Sequence, residues 1–165
     1  MDNVKDPGGA TNKGITRRTL AQWRDVPIRD LPKTEVMNIS DEETAAIYKE
    51  KYWRSARCSD LPIGLDHAVF DFAVNSGPSR AAKELQKIIG TKADGIIGGM
   101  TLRAIARKGN NLPGLIDEYL DNRLTFMQGL KHRKTRERLW DEFGRGWSIR
   151  VERVREESKN FIRTS

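Results

Sequence analysis

The sequence has a single cysteine, Cys58, so no disulfide can close within the chain and no multi-cysteine metal site can be built. Its two histidines, His67 and His132, lie far apart, which leaves no zinc-type ligand spacing. No apolar run approaches the roughly 18 residues that a membrane helix needs. The N-terminus shows no succession of charged, apolar and small residues, so no Sec-type signal is visible. The glycine-rich string GIIGG, residues 95–99, lacks the spacing and the Lys-Ser/Thr of a phosphate-binding loop. No G-x-S-x-G nucleophile elbow occurs. Carboxylate chemistry, binding and scaffolding remain, and none of them requires a metal or an organic cofactor.

What is present fits a folded domain. The chain has 165 residues, 37% of them hydrophobic, with 14 glycines besides. That is normal globular composition and a length suited to one domain. Thirty basic residues against 23 acidic ones give a net charge of +7. Such a balance favours polyanionic partners. Nucleic acid is one; bacterial cell wall, with its peptide carboxylates, is another. From Lys131 onward there are eleven Lys/Arg and six Asp/Glu, so much of the excess sits at that end. A solvated basic helix face without a partner would look the same.

Residues 1–16 read as turns around short extended pieces. A first helix is expected from Arg17 to Arg24, then a loop over 25–38 carrying Pro27 and Pro32. Ser40 and Glu43 form an S-x-x-E capping box opening a helix that reaches Trp53. In 64–76, Leu65, Ala68, Val69 and Phe72 fall on one helix face, and Phe70 with Val74 makes a second apolar row. That helix should be central. One polar stripe interrupts it: His67, Asp71 and Asn75, each four residues apart. Further helices are expected over 78–89, from Leu102 to Gly109, and from Pro113 to about Gln128. The last of these has the stripe Ile116, Tyr119, Leu120, Arg123 and Met127. Two final helical pieces, 135–143 and 146–158, are expected on either side of Gly144 and Gly146, with the tail after Ser158 fraying. The pattern is all-α with a β-like N-terminal patch and no internal repeat.

Four features are candidates for chemistry, each with a plainer alternative. Asp6 opens the turn Asp6-Pro7-Gly8-Gly9, and the Thr11 hydroxyl could reach back toward its carboxylate; an ordinary Asx turn would suffice. The stripe of His67, Asp71 and Asn75 is either the floor of a cleft or a solvated strip. Asp94 to Thr101 is a helix-opening turn whatever else it does. Trp23, Tyr48, Tyr52, Trp53, Trp140 and Trp147 suit stacking on sugar rings, although aromatics at helical spacing also fill cores.

The string D-P-G-G-A-T-N-K-G-I-T, the Tyr52-Trp53 pair and L-P-I-G-L-D-H-A-V-F-D-F-A-V-N-S-G-P-S-R-A-A-K-E-L-Q together resemble glycoside hydrolase family 108. Its members are small bacterial and phage N-acetylmuramidases, often labelled secretion activators or endolysins. The string D-G-I-I-G-x-x-T-L-x-A-I resembles the peptidoglycan-binding region of the same proteins. F-x-x-G-W-x-x-R at Phe143–Arg150 resembles their C-terminal end.

This resemblance implies an all-α, lysozyme-like fold in one domain over 1–165 without an independent linker. Its muramidase-like part would be 1–77 and its helical peptidoglycan-binding-like part 78–160. The implied activity is hydrolysis of the β-1,4 bond after N-acetylmuramic acid by general-acid carboxylate catalysis. Asp6 and Thr11 take catalytic roles in it; Tyr52, Trp53, Asp71 and Asn75 are substrate contacts. The family's acid glutamate, in an E-G-G-Y string, would fall about three residues upstream of Met1. The expectation is therefore a late start and little activity for the 165-residue form.

Peptidoglycan is the expected partner, with no nucleic acid and no stable membrane insertion. The expected place of action is the periplasm or cell wall, reached by holin-type or other non-Sec export. Two other readings compete: a non-catalytic peptidoglycan-binding relative, and a basic helical nucleic-acid binder. The second would need a helix-turn-helix with a basic, exposed second helix; residues 78–106 carry Arg103 and Arg107 there, but their turn is longer than expected and matches the wall-binding string better. If the polar stripe floors a cleft, Asp71 and Asn75 should lie on the same side as Asp6 and Thr11.

Overall fold

The structure, a computed structural model, describes residues 10–165. The chain divides into two compact units, at Glu50 and Lys51. The expected D-P-G-G turn and Asp6 lie outside the described residues.

The first unit opens with a hairpin. Strand β1 (Thr11–Asn12) pairs antiparallel with β2 (Ile15–Thr16), with Thr11 opposite Thr16. Lys13 and Gly14 form the turn at φ 50° and 77°, the left-handed pair that a two-residue hairpin of this twist needs. The Thr16 hydroxyl then accepts from the Thr19 N–H at 3.1 Å and caps α1 (Arg17–Trp23). Helices α2 (Lys33–Met37) and α3 (Asp41–Tyr48) follow. Ile15, Leu20, Val36 and Ile47 are fully buried and form this unit's core.

Two expectations change here. The segment 25–38 is not a plain loop: it holds a 3-10 turn, Ile28–Asp30, as well as α2. Pro27 and Pro32 precede these at φ near −60°, so the prolines open helical turns as well as interrupting the chain. The capping box is half formed. The Ser40 hydroxyl accepts from the Glu43 N–H at 3.0 Å, but the Glu43 carboxylate is engaged by Arg24 at 2.7 and 2.8 Å. Beyond Tyr48 the helix widens into a π-helical segment, Lys49–Arg54.

The second unit is helical. Helix α4 (Leu65–Ser76) packs against α5 (Pro78–Ile89), α7 (Leu112–Gln128) and α8 (Trp140–Thr164), and α6 (Gly99–Lys108) packs on α5. The predicted central helix is therefore central. Its Leu65, Ala68, Val69, Phe72 and Ala73 are buried together with Leu85, Ile116, Leu120, Val151 and Val154. Each large side chain so buried contributes roughly 1.5–3 kcal/mol.

The expected break at Gly144 and Gly146 is absent, for α8 runs unbroken over 25 residues. The two glycines each cost about 1 kcal/mol of helix propensity. Packing offsets this: Gly144 is buried beneath the Trp140 indole, and Val151 and Val154 anchor the following turns. The expected fraying after Ser158 is also absent. A Cβ at Gly64, whose φ is +90°, would meet the Ser158 carbonyl at 2.5 Å, so glycine there lets the end of α8 approach closely.

Candidate functional site

The polar stripe of α4 meets α8. His67 Nε2 lies 2.9 Å from Glu157 Oε2. One turn later, Asp71 receives Arg150 as a fork: Nε at 3.0 Å and Nη2 at 2.9 Å to Oδ1, with Nε 3.1 Å from Oδ2. On the other side, Arg123 Nη1 of α7 stands 2.7 Å from Asp71 Oδ2. Asn75, a turn further, is exposed and accepts from the Ser76 hydroxyl at 2.9 Å. The stripe is thus a helix–helix seam over two of its members and open surface at the third.

Arg123 is the unusual member, with a side chain 0% exposed. Its guanidinium lies 5.0 Å above the Phe72 ring, a cation–π contact. Its N–H groups are not aligned on Asp71, and Nε, Nη1 and Nη2 have no geometrically sound hydrogen-bond partner among the described residues. The Asp71 attraction is therefore mainly a close charge–charge contact.

Burial pushes the Asp71 pKa up, but the Arg150 hydrogen bonds and the charges of Arg123 and Arg150 outweigh it. Asp71 is held below the usual carboxylate range. Burial pulls Arg123 down, and Asp71 only partly compensates. The asymmetry follows from numbers: Asp71 has two cationic neighbours, whereas Arg123 has one anion.

Sequence reasoning placed Arg123 in the apolar stripe of α7 without giving it a role. The signal was there, since an arginine at a core position demands a buried anion, and Asp71 sits on the other mostly apolar helix.

The other expected site residues fall as follows. Thr11 is exposed on β1 in the first unit. Tyr52 and Trp53 are half-buried in the π-helical segment, against the core of the second unit. The Trp53 indole N–H donates to Ser59 Oγ at 2.8 Å, and its ring meets Phe70 edge-on at 5.4 Å. Burial raises the Tyr52 pKa.

The Asp94–Thr101 string is clipped to α5 by one buried side chain, Gln86. Gln86 Nε2 donates to Asp94 Oδ1 at 2.8 Å, to the Ile96 carbonyl at 3.0 Å and toward Thr101 Oγ1 at 3.2 Å; its Oε1 accepts from Gly95 N–H at 2.9 Å. Asp94 also accepts from the Ile96 N–H, so the turn that opens α6 is fully braced.

Among the described residues, no group of three or more His, Cys, Asp or Glu side chains is arranged to hold a metal ion. Cys58 is buried, and burial pushes its thiol pKa up to about 12, so it remains a neutral thiol.

Residues 1–77 match the family described as glycosyl hydrolase 108, and residues 80–152 match the one described as a predicted peptidoglycan domain. The solved structure of Brucella abortus SagA is 42% identical, covers 98% of this chain and 86% of its own, and superposes with a TM-score of 0.84. No curated protein matches the chain significantly. The two matched regions follow each other in the order in which the sequence motifs occur, and a relative this similar spans nearly the whole length. The chain therefore belongs to the glycosyl hydrolase 108 family, with an all-α, lysozyme-like fold and a predicted peptidoglycan domain after its hydrolase region.

Proposed function

We propose that this protein is a muramidase-type peptidoglycan hydrolase that cleaves the β-1,4 bond between N-acetylmuramic acid and N-acetylglucosamine. The observation that carries this is the pairing, on one chain, of a glycosyl hydrolase region with a predicted peptidoglycan domain. In such hydrolysis a carboxylic acid protonates the leaving oxygen as the glycosidic bond breaks, and water adds to the oxocarbenium-like carbon.

In this reading the acid belongs to an E-G-G-Y string, which none of the 165 residues supplies. Asp6 stabilises the developing positive charge or positions the water, and Thr11 holds that water. Tyr52, Trp53 and Asn75 contact the glycan. Asp71 acts through Arg150, whose side chain keeps 37% of its surface exposed. Peptidoglycan is the partner, and the periplasm or wall is the place of action. No described helix is long and apolar enough to cross a membrane.

The test is hydrolysis of purified peptidoglycan, followed as turbidity loss, with the products reduced by borohydride to identify the new end. The 165-residue form should clear slowly. A form extended by an E-G-G-Y segment should clear quickly and release reducing N-acetylmuramic acid. Asp6→Asn in the extended form should lower turnover on the order of 10²-fold or more without lowering the melting temperature. Wild-type turnover in that variant would return Asp6 to being a turn residue.

The match of residues 80–152 to a predicted peptidoglycan domain favours a second reading, a relative that holds the wall without cutting it. Tight binding by an extended form that never clears would establish that reading instead.

A further inference from the structure

Between α7 and α8 the chain makes a short hairpin. Leu139 N–H donates to the Leu130 carbonyl at 3.0 Å, His132 N–H to the Glu137 carbonyl at 2.8 Å, and Arg136 N–H to the His132 carbonyl at 3.0 Å. Five cations stand on this hairpin: Lys131, Arg133, Lys134, Arg136 and Arg138, all exposed. None of the five has an ion-pair partner among the described residues. Elsewhere Arg24, Arg57, Arg80, Lys87, Arg155 and Lys159 are paired, while Arg103, Arg107 and Arg145 also lack an ion pair among the described residues; the hairpin differs in gathering five such cations within eight residues. The one carboxylate on the hairpin, Glu137, accepts from the Thr135 hydroxyl. Five exposed cations against this one carboxylate leave an excess of four positive charges on a hydrogen-bonded hairpin, and an anionic partner relieves their mutual repulsion.

The hairpin opens directly into α8. Phe143 N–H donates to the Leu139 carbonyl at 2.9 Å, which ties the first helical turn to the hairpin's neck. Trp140, Phe143 and Trp147 then fall at i, i+3 and i+7, on one helix face. Their rings form a continuous ladder: Phe143 stacks on Trp147 at 5.7 Å, and Trp147 lies 6.2 Å from Trp140. Trp140 and Trp147 are half-buried against the core, while Phe143 is 44% exposed. The acidic residues of this turn, Asp141 and Glu142, project about 100° or more away from the ring row.

We propose that the ring ladder of α8 and the cationic hairpin form one binding surface for an intact peptidoglycan strand. The rings take the apolar faces of successive sugars, and the cations take the carboxylates of the stem peptides. A neutral glycan lacks the second half of this match, and a nucleic-acid duplex meets the charge but, with its bases stacked inside, offers the rings no flat apolar face. The proposal rests on the peptidoglycan-directed reading above and gives that partner a location.

The test is co-sedimentation of the full chain with purified sacculi stripped of other wall polymers, with chitin and double-stranded DNA as comparison probes. Phe143→Ala should weaken binding to sacculi and to chitin roughly three- to tenfold, the size of one aromatic stacking contact. Phe143→Tyr, which keeps the ring, should bind like the wild type. The Arg133→Glu/Lys134→Glu double variant should weaken binding to sacculi and flatten its salt dependence while leaving chitin binding unchanged. Unchanged melting curves confirm that each variant is folded.

Wild-type binding to sacculi by either Phe143→Ala or the charge variant overturns the proposal and leaves the family reading intact. So does equal loss on DNA and on sacculi in the charge variant with no effect of Phe143→Ala, which would mark a nucleic-acid surface. If the wild-type chain fails to bind sacculi at all, both the surface and the reading beneath it fall.

Discussion

At the scale of single residues, the decisive contact is Asp71 with Arg123. A buried guanidinium without its anion is far more costly than the pair is valuable, because desolvation of the charge then goes uncompensated. Asp71→Ala should therefore destabilise the protein by about 3–5 kcal/mol in urea unfolding. The double variant Asp71→Leu/Arg123→Met should recover most of that loss, since both buried charges go and similar volume stays. Arg150, partly exposed, can return to water when its partner is lost. A double variant no more stable than Asp71→Ala would show that Arg123 has another anion. In the sequence, Asp71 was visible as a polar interruption of an apolar helix, but its two partners lie 52 and 79 residues further on. No local pattern joins them.

Among the elements, α8 shows how packing overrides propensity. Its two glycines look alike in the sequence and led to an expected break. In the fold they differ. A Cβ at Gly144 would meet the Trp140 ring at 2.7 Å, whereas one at Gly146 would meet nothing within 4 Å. The indole is a rigid plane and cannot yield as a flexible side-chain tip does.

Alanine gains about 1 kcal/mol of helix propensity at either site. At Gly144 the overpacking, typically 1–3 kcal/mol, outweighs it. Gly144→Ala should thus lower the melting temperature and shift tryptophan fluorescence. Gly146→Ala should raise the melting temperature by a few degrees. Equal effects of the two changes would mean that Trp140 does not rest on Gly144. Helices α4, α5 and α7 were legible almost to the residue, because their apolar spacing, Gly77, Pro78 and Gly90 all mark boundaries locally.

For the whole molecule, stability should depend on pH through carboxylates held below their unfolded pKa values. In Glu43 the Arg24 hydrogen bonds dominate. In Glu84 and Asp117 burial pushes the pKa up, but hydrogen bonds to cations, Lys87 for Glu84 and Lys159 with Arg155 for Asp117, bring it down. Asp71 follows the same balance. A depressed folded pKa contributes stability that is complete above the unfolded value and lost as pH falls through the folded one. With unfolded carboxylates near 4, the melting temperature should hold between about pH 7 and 5 and drop below about pH 4. Asp71→Asn should flatten part of that drop, and a curve identical to wild type would remove Asp71 from the acid transition. A rise in stability on acidification would contradict the assignment altogether.

The sequence by itself determined the all-α class, the order of the long helices, the absence of disulfide and nucleotide-loop chemistry, and the family. These rest on period, composition and contiguous motifs, all local properties of a chain. Tertiary structure decided where the charges go. It turned the polar stripe at His67 and Asp71 into a seam with α8, buried Arg123 on a ring, clipped the Asp94–Thr101 string to Gln86, and left five hairpin cations unpaired beside a ladder of rings. The physical reason is the same in each case. A charge or a polar group takes its value from what lies within a few ångströms, and that neighbour comes from another helix tens of residues away.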